Sequence, residues 1–236
     1  MPPAATRLGR WCSTGWPRHD PVIPDVPAEA RRVTVAFGRL PRWLDGFADN
    51  HGGLTTEAGP EQLLVTAADG ARVWIEVPFG PWQVPQSRPL TALQLHLNRS
   101  RRIGVLLVRR GGYAAGVFDG STLVSSKVGS GYVQGATKAG GSSAPRFARR
   151  RANQARAAFA EAAEVAVRIL LPHRDELAAL ICGGDRAAVT AALADPRLAP
   201  LLPLRTEPFL PVPDPRLRVL QATPEQFLTV RLAIRP

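Results

Sequence analysis

Residues 103–128 read IGVLLVRRGGYAAGVFDGSTLVSSKV, and the fold turns on how this stretch is read. Three apolar, β-branched-rich runs, Ile103–Val108, Tyr113–Phe118 and Thr122–Val128, are joined by Arg110-Gly111-Gly112 and Asp119-Gly120. Connections this short can join only antiparallel neighbours, and glycine supplies the backbone angles that such tight turns demand. The stretch predicts an antiparallel meander.

C-terminal to it the period changes. Ala155, Ala158, Phe159, Ala162, Val165, Ala166 and Ile169 recur at i, i+3, i+4 spacing, which is one face of a helix, and Pro172 closes it. Leu177–Cys182 (LAALIC) reads as a short buried strand. Gly183-Gly184-Asp185 reads as a turn with Asp185 as N-cap. A helix to Ala194 and a late strand around Leu217–Leu220 follow. Meander, helix, strand, helix, strand predicts an α/β layered unit on a mixed sheet, the order also found in ribonuclease H-like layering.

N-terminal to the meander the signals are weaker. Residues 1–29 hold six prolines among Arg and Trp and read as a flexible lead-in. Arg31–Phe37 alternates like a strand and Leu40–Asn50 suits a short helix. Leu63–Ala67 and Arg72–Val77 suit two strands joined at Asp69-Gly70. Prolines 78, 81, 85 and 89 then mark a boundary. The expected organisation is a lead-in (1–29), a small α+β module (30–89) and the layered unit (90–236).

The 236 residues carry a formal charge of +11 and are 45% hydrophobic, enough for a real core and too apolar for a disordered chain. No apolar run approaches the length of a spanning helix, and the first residues lack the apolar core of a secretory signal. Cys12 and Cys182 stand far apart and read as free thiols of a reducing cytoplasm. Four His and two Cys without paired spacing predict no metal site, and no cofactor is expected.

The charge is concentrated. Between Gly120 and Ala160 no acid occurs, while Lys127, Lys138, Arg146, Arg149, Arg150, Arg151 and Arg156 supply seven positive charges. On a helix, Arg146, Arg149, Arg150, Asn153 and Arg156 fall on neighbouring i+3 and i+4 positions, with Arg151 nearer the apolar seam. A single-sign cluster of arginines, whose planar forks match phosphate oxygens, predicts a nucleic-acid surface. The absence of any helix-turn-helix or zinc-finger pattern favours RNA. The alternative is a merely soluble, arginine-rich face.

The segment Gly129–Gly141 holds five glycines. It lacks the Gly-Lys pair of a Walker loop, and Gln134 stands where a third dinucleotide-binding glycine belongs. Its length and place argue for function over plain connection. Ser142 and Ser143 have no histidine near them in sequence, so no triad can be assembled. Without paired carboxylates, metal-dependent nuclease chemistry has no support.

Tyr132-Val133-Gln134-Gly135, Thr137, Ala139-Gly140-Gly141, Arg146-Phe147-Ala148-Arg149-Arg150-Arg151 and Asn153-Gln154-Ala155-Arg156 together resemble the actinobacterial release-factor-like peptidyl-tRNA hydrolases. These are relatives of the glycine-glycine-glutamine domain of eukaryotic class I release factors. The resemblance is dense over about 25 residues and fits the order of elements from about residue 90 onward. It implies a monomeric cytoplasmic protein that enters the ribosomal A site on the large subunit, contacting rRNA and peptidyl-tRNA. Its glycine-rich loop would reach the ester between nascent peptide and tRNA. Gly140, Gly141, Ser142, Ser143 and Ala144 would form the catalytic element. Lys138, Arg146, Arg149, Arg150, Arg151, Asn153 and Arg156 would hold RNA. In such proteins a Gly-x-x-Gln element helps water attack the ester. Here Gly141 matches, but the glutamine position holds Ala144. Either a backbone N–H at Ala144 suffices to support the oxyanion, or the chain is a binding module without chemistry.

Overall fold

The computed structural model of the chain describes residues 26–80, 82–83, 87–130 and 144–236; at 144–153 and 155 it describes the backbone alone. Among these residues ten strands form two five-stranded sheets.

The first sheet draws on both halves of the chain. It contains β1 (Arg31–Ala36), β2 (Leu54–Ala58), β3 (Gln62–Ala67), β4 (Arg72–Glu76) and β10 (Thr229–Arg235), in the order β1-β10-β4-β3-β2. Every pairing is antiparallel. Helices α1 (Leu40–His51) and α2 (Pro89–Leu97) cover one face. Because strand side chains alternate, Leu63, Val65, Val73, Ile75, Val230 and Leu232 point to that face and bury against Leu40, Leu44, Phe47, Leu93 and Leu97. The β3–β4 turn works as its residues require. Gly70 takes φ +93°, and the Asp69 carboxylate accepts from Ala71 N–H at 2.9 Å while pairing with His51 Nδ1 at 2.7 Å.

The second sheet is mixed, as expected from the sequence. Strands β5 (Arg102–Arg109), β6 (Gly112–Asp119) and β7 (Thr122–Gly129) form the antiparallel meander. The parallel strands β8 (Leu177–Gly184) and β9 (Arg205–Leu210) extend it in the order β7-β6-β5-β8-β9. The long helix α3 (Ala144–Leu170) and α4 (Arg186–Leu193) cover one face, where Ala162, Val165, Ala166 and Leu170 bury against Leu106, Val117 and Leu180. Ala158, also on the expected stripe, is buried too. Gly104 of β5 admits the helix closely, since an added Cβ would stand 3.1 Å from Leu177 and 3.4 Å from Leu170. The other face buries Ile103, Val105, Leu107 and Phe118 under two short helices, α5 (Leu217–Gln221) and α6 (Pro224–Phe227). There Phe227 meets Phe118 edge-on at 5.7 Å between centroids. Asp185 caps α4, accepting from Ala187 N–H at 2.9 Å and Ala188 N–H at 3.2 Å.

Two readings are corrected. Leu217–Leu220 is helix, not strand: it is the body of α5, with Leu220 buried and Leu217 turned to solvent. A short apolar run fits either period, and here the three-residue spacing won. Residues 229–235, placed with the layered unit by a division at residue 90, hydrogen-bond instead inside the first sheet, between β1 and β4. The second sheet is therefore inserted between two neighbouring strands of the first.

Cys182 lies buried as a free thiol in β8, and burial pushes its pKa up to about 12. Cys12 falls outside the described residues. No helix among the described residues is long and apolar enough to cross a membrane.

Candidate RNA-facing loop and helix

The candidate element leaves the sheet at the end of β7 and returns as α3. Lys138, Gly140, Gly141, Ser142 and Ser143 lie outside the described residues. Ala144 is the first residue of α3, and Arg146, Arg149, Arg150, Arg151, Asn153 and Arg156 all fall within its first half. Arg156, the member of this set with a described side chain, is exposed.

What is described is the mount. Gly129, the last residue of β7, pairs with Tyr113 at the start of β6. The tyrosine ring lies so close over it that a Cβ on Gly129 would come within 2.3–2.4 Å of ring atoms and hydroxyl, nearer than atoms can approach. Only glycine fits. The same tyrosine donates its hydroxyl to Glu161 Oε2 of α3 at 3.0 Å. Burial, followed by this bond to a carboxylate, raises the phenol pKa, so the group stays a donor at neutral pH. Tyr113 thus ties the strand that leads into the loop to the helix that leads out.

Glu161 is 17 residues from Ala144, about 25 Å of helix. Toward its other end α3 lies across β5, with Leu170 over Gly104. The described hydrophobic packing of the helix thus falls in its second half, and the arginines of the candidate set lie in the first. Glu164, on the second half, pairs with Arg197 at 2.5 Å. The two helix acids thus bind the body of the protein.

One further base stands near the loop entry. Arg110 sits exposed in the β5–β6 turn. Two residues on, Gly112 packs against Gly129 and Ser130, with an added Cβ only 3.0 Å from Gly129 O. The sequence reading took Arg110-Gly111-Gly112 only as a connection. Its neighbourhood with the loop entry depends on the β6–β7 register and has no signal in the sequence. Lys127, exposed on β7, stands near the same end. Arg109 is engaged elsewhere, donating to Val212 O at 2.8 Å and pairing with Asp214 at 3.5 Å. Among the described residues no group of three His, Cys, Asp or Glu could hold a metal ion.

The model of the family described as Actinobacteria/chloroflexi VLRF1 release factor matches residues 101–233, 133 of the 236 residues. No curated protein sequence matches. Among solved structures, the archaeal translation termination factor aRF1 aligns at 16% identity and a TM-score of 0.41, over 80% of this chain and 61% of that one. A second structure, an archaeal protein, aligns at 16% identity and 0.37, over 66% and 47%. The chain spans less than two thirds of the length of either.

Proposed function

The chain belongs to the Actinobacteria/chloroflexi VLRF1 release factor family, and on that premise we propose that it is a ribosome-associated peptidyl-tRNA hydrolase. It works in the cytoplasm as a monomer, on large subunits that hold a stalled nascent chain. The carrying observation is that the family match spans the meander, the glycine-rich segment and the arginine-bearing half of α3 together. A helix half whose charges are all of one sign attracts a phosphate-lined partner.

In this reading Lys138 and the arginines at 146, 149, 150, 151 and 156, with Asn153, grip rRNA or tRNA backbone, and Arg110 and Lys127 extend the same field. Glycines 140 and 141 let the loop pass close to the ester. Water attacks the ester carbonyl carbon, the bond to the tRNA ribose oxygen breaks, and that oxygen takes up a proton. The backbone N–H groups of Ser142, Ser143 and Ala144 stabilise the oxyanion that forms in between.

A second reading, a non-catalytic A-site module, rests on Ala144 standing at the glutamine position. Peptide release from purified ribosome–peptidyl-tRNA complexes separates the two. Ala144→Gln is expected to raise release about tenfold, or ~1.4 kcal/mol off the barrier, with binding unchanged. Gly141→Ala, whose added methyl blocks close approach, is expected to abolish it. Bound complexes that release nothing with either Ala144 or glutamine establish the non-catalytic module. Release untouched by Gly141→Ala removes the loop from the chemistry.

A further inference from the structure

On the edge of the second sheet farthest from β7 and the loop, a cleft of about 500 Å³ opens between β9 and the first sheet. That is the size of a ligand site. Its floor follows from strand alternation. Val33 and Val35, Ile75, Leu63, Val230 and Leu232 turn toward α1 and α2, so Thr34, Arg231, Glu76 and Gln62 turn the other way. Register sets them in one row across four strands, with Thr34 opposite Arg231 and Gln62 opposite Glu76. An ion pair between Arg231 and Glu76 joins the two halves of the row.

The charge of this cleft is opposite to that of the molecule. Glu61, Glu76 and Glu207 line it against a single base, Arg231, and that base is already neutralised by Glu76. Glu207 spends one oxygen on Phe209 N–H at 2.7 Å. The Glu61 carboxylate is exposed and has no partner among the described residues. Gln62 Oε1 is sealed from solvent and accepts no hydrogen bond, although a buried acceptor normally has a partner. The site lacks a donor and a positive charge. Its remaining walls combine Thr206, Gln226 and Thr229 with stiff apolar residues, Pro60, Pro78, Pro208 and Pro211 among them. An occupant with an aliphatic stem and a cationic, donor-rich head satisfies both walls and floor. Phosphate is repelled by the same charges.

We propose that this cleft is a docking site for a lysine or arginine side chain of a basic protein segment, separate from the RNA-facing helix. The reading does not depend on peptide release. Its probe is a fluorescein-labelled peptide of three Gly-Arg repeats, followed by anisotropy on the full chain at low salt. Glu61→Gln with Glu207→Gln is expected to weaken binding at least tenfold. Asp49→Asn with Glu57→Gln, a charge-matched pair on exposed positions elsewhere, is expected to leave it within twofold. Thr206→Lys, at the exposed mouth, supplies a resident cation and is expected to abolish binding. Thermal melts establish that each variant is folded. No binding by the wild-type chain, equal losses in both paired variants, or full binding by a folded Thr206→Lys chain overturns the assignment.

Discussion

The two sheets solve the same packing problem with opposite economies of sequence. The second sheet is assembled from neighbours: β5, β6 and β7 follow one another through turns of two residues, and β8 and β9 are laid on in chain order. The first sheet holds β10 between β1 and β4, so one of its ladders joins residues 31–36 to 229–234. The meander of the second sheet is built from local pairings, and both faces of β5 are buried. The first sheet, by pairing β4 with β10, holds the ends of the inserted segment together.

This contrast is open to attack at several points, and the heaviest blow falls on β10. Deleting residues 229–236 removes Val230, Leu232 and Ala233, all buried, together with two ladders. Burial of the valine and leucine alone is worth about 1.5–3 kcal/mol each. The truncated chain is expected to lose its cooperative unfolding transition by circular dichroism. A wild-type melt would show that the first sheet does not depend on this strand.

Next comes the basic half of α3. Arg149→Glu with Arg150→Glu is expected to weaken ribosome cosedimentation about a hundredfold, ~2.7 kcal/mol, with an unchanged melting temperature. Wild-type binding should fall steeply with salt. Normal cosedimentation of the double variant would reduce the basic half of α3 to solvated surface. At the mount, Gly129→Ala forces its methyl into the Tyr113 ring and is expected to cost about 1–3 kcal/mol of stability. An unaltered denaturation midpoint would mean that β7 and β6 are not locked there. Tyr113→Phe keeps the ring and gives up only the bond to Glu161. A loss of about 0.5–1.5 kcal/mol is expected, and no loss at all would mean that the strut carries no load.

The same contrast explains what could be read in advance. Turn chemistry at Gly111-Gly112 and Gly120 is local, so the meander was legible residue by residue, as was Asp185 over α4. Strand β9 was not, because Pro208 within RTEPFL argues against a strand. An edge strand tolerates proline, which costs no ladder bond on the open side. Strand β10 (TVRLAIR) alternates clearly, yet nothing in its own residues says that its partners lie some 195 positions upstream at β1. The short helix α2 went unread because Pro89 was taken as a break, whereas proline at a first helical position is compatible with the helix. At the candidate site, the run of arginines on one helix was legible from spacing alone. Its fastening through Tyr113, Gly129 and Glu161 was not, since it needs a register and a crossing helix to bring three distant residues together.

The placement of β10 also sets an order of events during synthesis. When β1 and β4 emerge, the strand that belongs between them has not been made, and residues 77–228 must be translated before it arrives. At about 5–20 residues per second that is roughly 8–30 s. Throughout this interval the nascent chain presents facing strand edges of β1 and β4, the kind of surface that recruits foreign strands. The inserted second sheet, local in its contacts, can fold meanwhile. The newborn protein thus acquires its working platform first and seals its most adhesive edges last.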